Sequence, residues 1–137
     1  MNKRDVMIVG GRGEVRDGIE ALVEAIPEVS KVACFDDIAG RIDQISNLNP
    51  DLVILDSSQL KERGQSRLRQ LKRLLPLTRI LTLVEEEEQG ELLGQADPDE
   101  VLVKGFRGEL FIRTVRRLLK DGNSRNSKNL KNDYPEG

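Results

Sequence analysis

Pro50-Asp51-Leu52-Val53-Ile54-Leu55-Asp56 decides the fold of this chain. Four consecutive apolar residues have no polar alternation, so they suit a strand covered on both faces, and the carboxylate that follows marks where that strand leaves the sheet. Four similar runs lie at regular intervals along the chain: Val6 to Val9, Lys31 to Phe35, Arg79 to Val84 and Val101 to Val103. Between them, apolar residues recur at helical spacing. The stripes are Val15, Ile19, Leu22, Val23 and Ile26; Ile38, Ile42 and Ile45; Leu68, Leu71, Leu74 and Leu75; and Leu110, Val115, Leu118 and Leu119. Glu86 to Gly94 is a weaker helix, because Gly90 and Gly94 interrupt it. Strands alternating with amphipathic helices predict an α/β fold, a doubly wound five-stranded parallel sheet wrapped by helices.

Composition narrows the function. The 137 residues carry 22 Lys or Arg, 24 Asp or Glu and no His, so the commonest general base, the commonest metal ligand and any phosphohistidine role are missing. One cysteine, Cys34, can form no internal disulfide and offers no ligand cluster. This residue set argues against a hydrolase or metalloenzyme, and the reading is of a protein that is not an enzyme. A net charge of −2 argues against direct nucleic-acid binding through a basic surface. No stretch approaches the ~20 apolar residues that span a bilayer, and the start has no signal-peptide pattern, which places the chain in the cytoplasm. Residues 1–120 read as one domain. From Asp121 to Gly137, Asn, Ser, Lys and Gly dominate, which predicts a disordered tail or linker with no room for an output domain.

In an open parallel sheet, functional groups collect at the carboxyl ends of the strands. Those ends are Gly10 and Gly11, Asp36 and Asp37, Asp56, Val84 and Glu85, and Lys104, so a carboxylate and an ammonium converge on one rim. Asp36 and Asp37 are read as the start of the second helix, where negative charge suits the helix dipole.

These residues carry a resemblance. Pro50 to Asp56 with Lys104 closing the fifth strand, Val15-Arg16-Asp17-Gly18-Ile19, and Leu75-Pro76-Leu77-Thr78-Arg79-Ile80-Leu81 resemble the receiver domain of bacterial two-component response regulators of the NarL/FixJ type, over about residues 4–120. The resemblance implies a flavodoxin-like (βα)5 receiver fold with strand order 2-1-3-4-5. It implies that Asp56 accepts a phosphoryl group from a histidine kinase, that Mg²⁺ screens the developing charge, and that Lys104 pairs with the phosphoryl oxygens. It also implies a homodimer.

The sequence departs from that pattern. The metal-holding acids align with Gly10 and Gly11, followed by Arg12, so Asp56 with a carbonyl and waters would hold Mg²⁺ weakly. The switch Thr or Ser aligns with Val84, although Thr82 lies on the same face two residues earlier. The aromatic of the fifth strand aligns with Val101, and two prolines are replaced by Gly105 and Leu60. The reading is an atypical, pseudo-receiver interaction module for two-component phosphorelay signal transduction, with Asp56 paired to Lys104 or Arg12 and its phosphorylation impaired or absent. The alternative within the family is an ordinary phospho-accepting receiver whose DNA-binding domain is absent from this chain.

A rival from another class is a Rossmann-like nucleotide-binding domain. Gly10-Gly11-Arg12-Gly13 follows a strand and precedes a helix, with Asp36 ending the next strand. Against it, Arg16 stands where a third glycine belongs and Glu14 would repel a pyrophosphate. Charge is also segregated. Lys61, Arg63, Arg67, Arg69, Lys72 and Arg73 are basic around the third helix, whereas Glu85 to Glu88, Glu91, Asp97, Asp99 and Glu100 are acidic around the fourth. The plain reading is mutual neutralisation across a solvated face, the sharper one a docking surface. The last helix carries Arg113, Arg116, Arg117 and Lys120, which are ordinary near a helix C-terminus.

Overall fold

The computed structural model describes residues 3–38, 40–59 and 64–132, with side chains as far as 120. Five strands, β1 (Arg4–Val9), β2 (Val29–Phe35), β3 (Leu52–Asp56), β4 (Arg79–Val84) and β5 (Glu100–Val103), alternate with α1 (Glu14–Glu24), α2 (Ile42–Leu48), α3 (Gly64–Leu74), α4 (Glu87–Gly94) and α5 (Gly108–Asn132). All strand pairs are parallel and the order is β2-β1-β3-β4-β5, as expected for a doubly wound sheet.

Alternate residues of each central strand feed two separate cores. Met7, Val9, Val53, Leu55, Ile80 and Val84 face the core under α2, α3 and α4, while Val6, Ile8, Leu52, Ile54, Leu81 and Leu83 face the core under α1 and α5. This two-sided burial is why β1, β3 and β4 read as continuous apolar runs. Edge strands β2 and β5 are only half-buried, because each has a neighbour on one side only.

The residues flanking the decisive strand fix its register. Asp51 Oδ2 accepts the Asp5 backbone N–H at 2.8 Å, and the buried Thr78 hydroxyl donates to the Pro50 carbonyl at 2.6 Å. The starts of β1, β3 and β4 are thereby held together, so their far ends arrive at a common rim.

Several expectations are corrected. The second helix begins at Ile42, so Asp36 and Asp37 do not cap it, and Ile38 is buried from the preceding loop. On α5 the buried aromatic is Phe111, stacked on Phe106 at 5.3 Å between centroids, while Leu110 is 42% exposed. The fourth helix forms despite its glycines, and Gly90 has a packing reason. A Cβ there would stand 3.2 Å from Val101 Cγ1 and 3.4 Å from Val84 Cγ2. The backbone of α5 runs to Asn132, which leaves the expected domain boundary near Lys120 untouched. Extending an anchored helix fixes one residue per added hydrogen bond, so a polar sequence can continue what an apolar stripe began.

The basic and acidic regions neutralise each other at one point only among the described residues. Asp99, whose side chain is 8% exposed, bonds Lys72 of α3 at 3.3 Å and Arg79 of β4 at 2.7 Å, and accepts the Ile80 N–H at 2.7 Å. Lys61 and Arg63 lie outside the described residues.

Candidate functional site

The rim at the carboxyl ends of the strands holds a three-residue ion cluster. Asp56 ends β3, one register step from the end of β4, and Lys104 follows β5, its backbone N–H donating to the Val84 carbonyl at 2.7 Å. That tie turns the Lys104 side chain onto Asp56, where Nζ lies 2.9 Å from Oδ1 and 3.0 Å from Oδ2. The Ser58 backbone N–H donates to Oδ1 at 3.0 Å. The same ammonium contacts Glu85 Oε2 at 2.7 Å. Burial pulls the Lys104 pKa down, but the hydrogen bonds to Glu85 and Asp56 outweigh it and hold the ammonium above the usual lysine range.

The sequence places Glu85 at the end of the fourth strand but does not mark it as a partner of Lys104, because it opens a run of four glutamates, any of which suits a helix start. The fold separates them. Glu87 and Glu88 form the first turn of α4, Glu86 precedes it, and Glu85 stays at the strand end, its N–H bonded to Gln89 Oε1 at 2.9 Å.

The expected partner Arg12 does not reach Asp56. Its Nε bonds Asp36 Oδ1 at 3.3 Å, and Arg16 Nη1 bonds the same oxygen at 2.7 Å and the Gly10 carbonyl at 3.1 Å. The Arg16 hydrogen bond, with Arg12 beside it, holds the Asp36 carboxyl below the ordinary carboxylate range. This clamp also answers the nucleotide-binding reading. The carboxylate that a ribose would need is bound to Arg16, whose guanidinium closes the glycine turn on itself. No motif signals the Arg16–Asp36 pair in the sequence.

Gly10 sits directly against the cluster, and a Cβ added there would lie 3.3 Å from Asp56 Cβ and 3.8 Å from Oδ2. A void of about 10 Å³ lies between Gly10, Arg16 and Asp56, close to the size of a single water. This donor set does not fit Mg²⁺, which requires several oxygens in octahedral array. Both Asp56 oxygens are engaged by an ammonium and Gly10 and Gly11 bring no side chain, while no group of three Asp, Glu, His or Cys converges among the described residues.

The two switch positions adjoin each other. Val84 is fully buried at the end of β4, and Val101 packs on the same core beneath Gly90. Thr82 is also fully buried, opposite Leu55 and Val101, and its hydroxyl has no hydrogen-bond partner among the described residues. It lies inside the sheet, two residues from the rim. Gly105 adopts φ +95°, which proline cannot, so the residue after Lys104 is set by backbone geometry. Leu60 lies outside the described residues.

No family model matches the sequence, and no curated protein matches it. Solved structures do. The signal receiver domain of an HD domain-containing protein from Pseudomonas fluorescens superposes with a TM-score of 0.79 at 14% identity, covering 93% of this chain and 95% of that one. The fold is that of response-regulator receiver domains. A LuxR-family two-component response regulator from Aurantimonas gives 0.76 at 19% identity, covering 88% and 87%. The RcsB response regulator of Salmonella typhimurium gives 0.76 at 22%, covering 88% of this chain and 62% of that one. Asp56 stands at the end of the third strand of this fold. None of its described helices is long and apolar enough to cross a membrane.

Proposed function

We propose that this chain is a receiver-type interaction module of two-component signalling in the cytoplasm, in which Asp56 is held in an ion cluster and its phosphorylation is impaired or absent. The observation that carries this reading is the position of Lys104 Nζ, bonded at once to both oxygens of Asp56 and to Glu85. Phosphoryl transfer to a carboxylate needs a free oxygen and cations to screen the incoming group. Here the nearest cation is shared by two carboxylates, and Arg12 and Arg16 are engaged by Asp36. Signalling by such a domain rests on its surfaces, with a histidine kinase, another signalling protein or a second copy as partner.

The test is labelling by a small phosphodonor, acetyl phosphate, with millimolar Mg²⁺, followed by intact mass. The expected result is slow labelling, well short of one phosphoryl group per chain. Rapid stoichiometric labelling that disappears in Asp56→Asn would establish an ordinary phospho-accepting receiver instead.

A further inference from the structure

The end of the sheet opposite Asp56 carries a second concavity. Strands begin there and α5 runs down past them, so the start of β1, the approach to β2 and the later turns of α5 enclose a groove of about 650 Å³. Arg4, Arg113, Arg116, Arg117 and Lys120 contribute five cations to it, and Glu28 is its one carboxylate. Glu28 bonds Arg116 at 2.6 Å, and Arg117 is held by Glu100 of β5. Arg4, Arg113 and Lys120 have no carboxylate partner among the described residues. Among the described residues, three of these five cations thus lie together without a carboxylate partner in a chain of net charge −2.

We propose that this groove binds a small polyphosphorylated anion of the nucleoside di- or triphosphate class. Three features select that ligand. The volume lies within the range of small-molecule sites. Residues 113, 116, 117 and 120 lie at helical spacing on one face of α5, and at 1.5 Å rise per residue they span about 10 Å, the reach of a chain of phosphates and too long for one. Arginine forks pair with phosphate oxygens through two parallel hydrogen bonds, and the aliphatic stems of the arginines supply an apolar wall for a base. The site shares no residue with the Asp56 cluster, so it stands whether or not Asp56 is phosphorylated.

Isothermal titration of the full chain at about 50 mM salt tests this, using inorganic phosphate, tripolyphosphate, ATP and a single-stranded oligonucleotide. Tripolyphosphate and ATP are expected to bind at least tenfold more tightly than phosphate. Arg113→Ala and Lys120→Ala, both at exposed positions, should each weaken them severalfold, while Arg73→Ala on exposed α3 removes the same charge and leaves binding unchanged. Three results would each overturn the proposal: no heat with either polyphosphate, equal weakening by Arg73→Ala, or tighter binding of the oligonucleotide in competition with ATP. The last would assign the groove to a nucleic-acid backbone.

Discussion

At the scale of single residues, the chain distinguishes two carboxylates that share one ammonium. Asp56 is 15% exposed and Glu85 is 61% exposed, so water screens the second bond far more than the first. Asp56→Asn, which leaves Lys104 partly buried beside a neutral amide, is expected to cost about 1–3 kcal/mol in urea unfolding. Glu85→Gln should cost less than about 1 kcal/mol, as exposed pairs do, but should move the Lys104 pKa down in an NMR titration of its Cε. An unmoved Lys104 would mean that Glu85 does not hold it. Because its folded pKa is raised, Lys104 stabilises the fold at pH below its unfolded value near 10.4, and that contribution is lost as pH climbs through the folded value. Asp56 and Lys104 were legible in the sequence because each ends an unmistakable strand. The Lys104–Glu85 bond and the Arg16–Asp36 clamp were not, since each contact depends on how a loop turns its side chain after the strand ends.

At the scale of elements, Asp99 is the joint that fastens α3, β4 and the approach to β5. Burial raises its carboxyl pKa, but the Ile80 N–H, Arg79 and Lys72 together outweigh that, and the net direction is down. The stabilisation is therefore present above the unfolded value near 3.9 and is lost as pH falls through the folded one. Asp99→Asn should destabilise by about 1–3 kcal/mol at pH 7. The gap between variant and parent should close towards pH 2, as thermal unfolding across that range can show; a gap independent of pH would exclude the ionic account. The element order was legible because each strand is a short, mainly apolar run of nearly the right length. Boundaries were less so. Ile38 matches the helical period of Ile42 and Ile45 yet lies in a loop, and Leu110 matches the stripe of α5 while its neighbour Phe111 takes the core. Periodicity alone cannot tell adjacent apolar residues apart.

At the scale of the whole molecule, the two functional proposals occupy opposite ends of one sheet, each with its own charged groups. Burial along α5 stops at Leu119 among the side chains described, so truncation after Lys120 should leave the melting temperature within about 3 °C of the full chain, less than the shift from about 1 kcal/mol. A larger drop would show that residues 121–137 belong to the folded unit. Parallel topology and the two-faced core were readable from the chain, whereas the basic groove was not, because Arg4 and Lys120 are brought together only by the closing of the fold. The Phe106–Phe111 stack also has a practical use. The chain has no tryptophan and only three phenylalanines, one beneath Arg41 at the β2 edge and two meeting just beyond Lys104. Fluorine-labelled phenylalanine would therefore give three resonances that report on the rim from two sides, two just beyond the ammonium and one, Phe35, whose carbonyl accepts the Gly10 N–H beside Asp56.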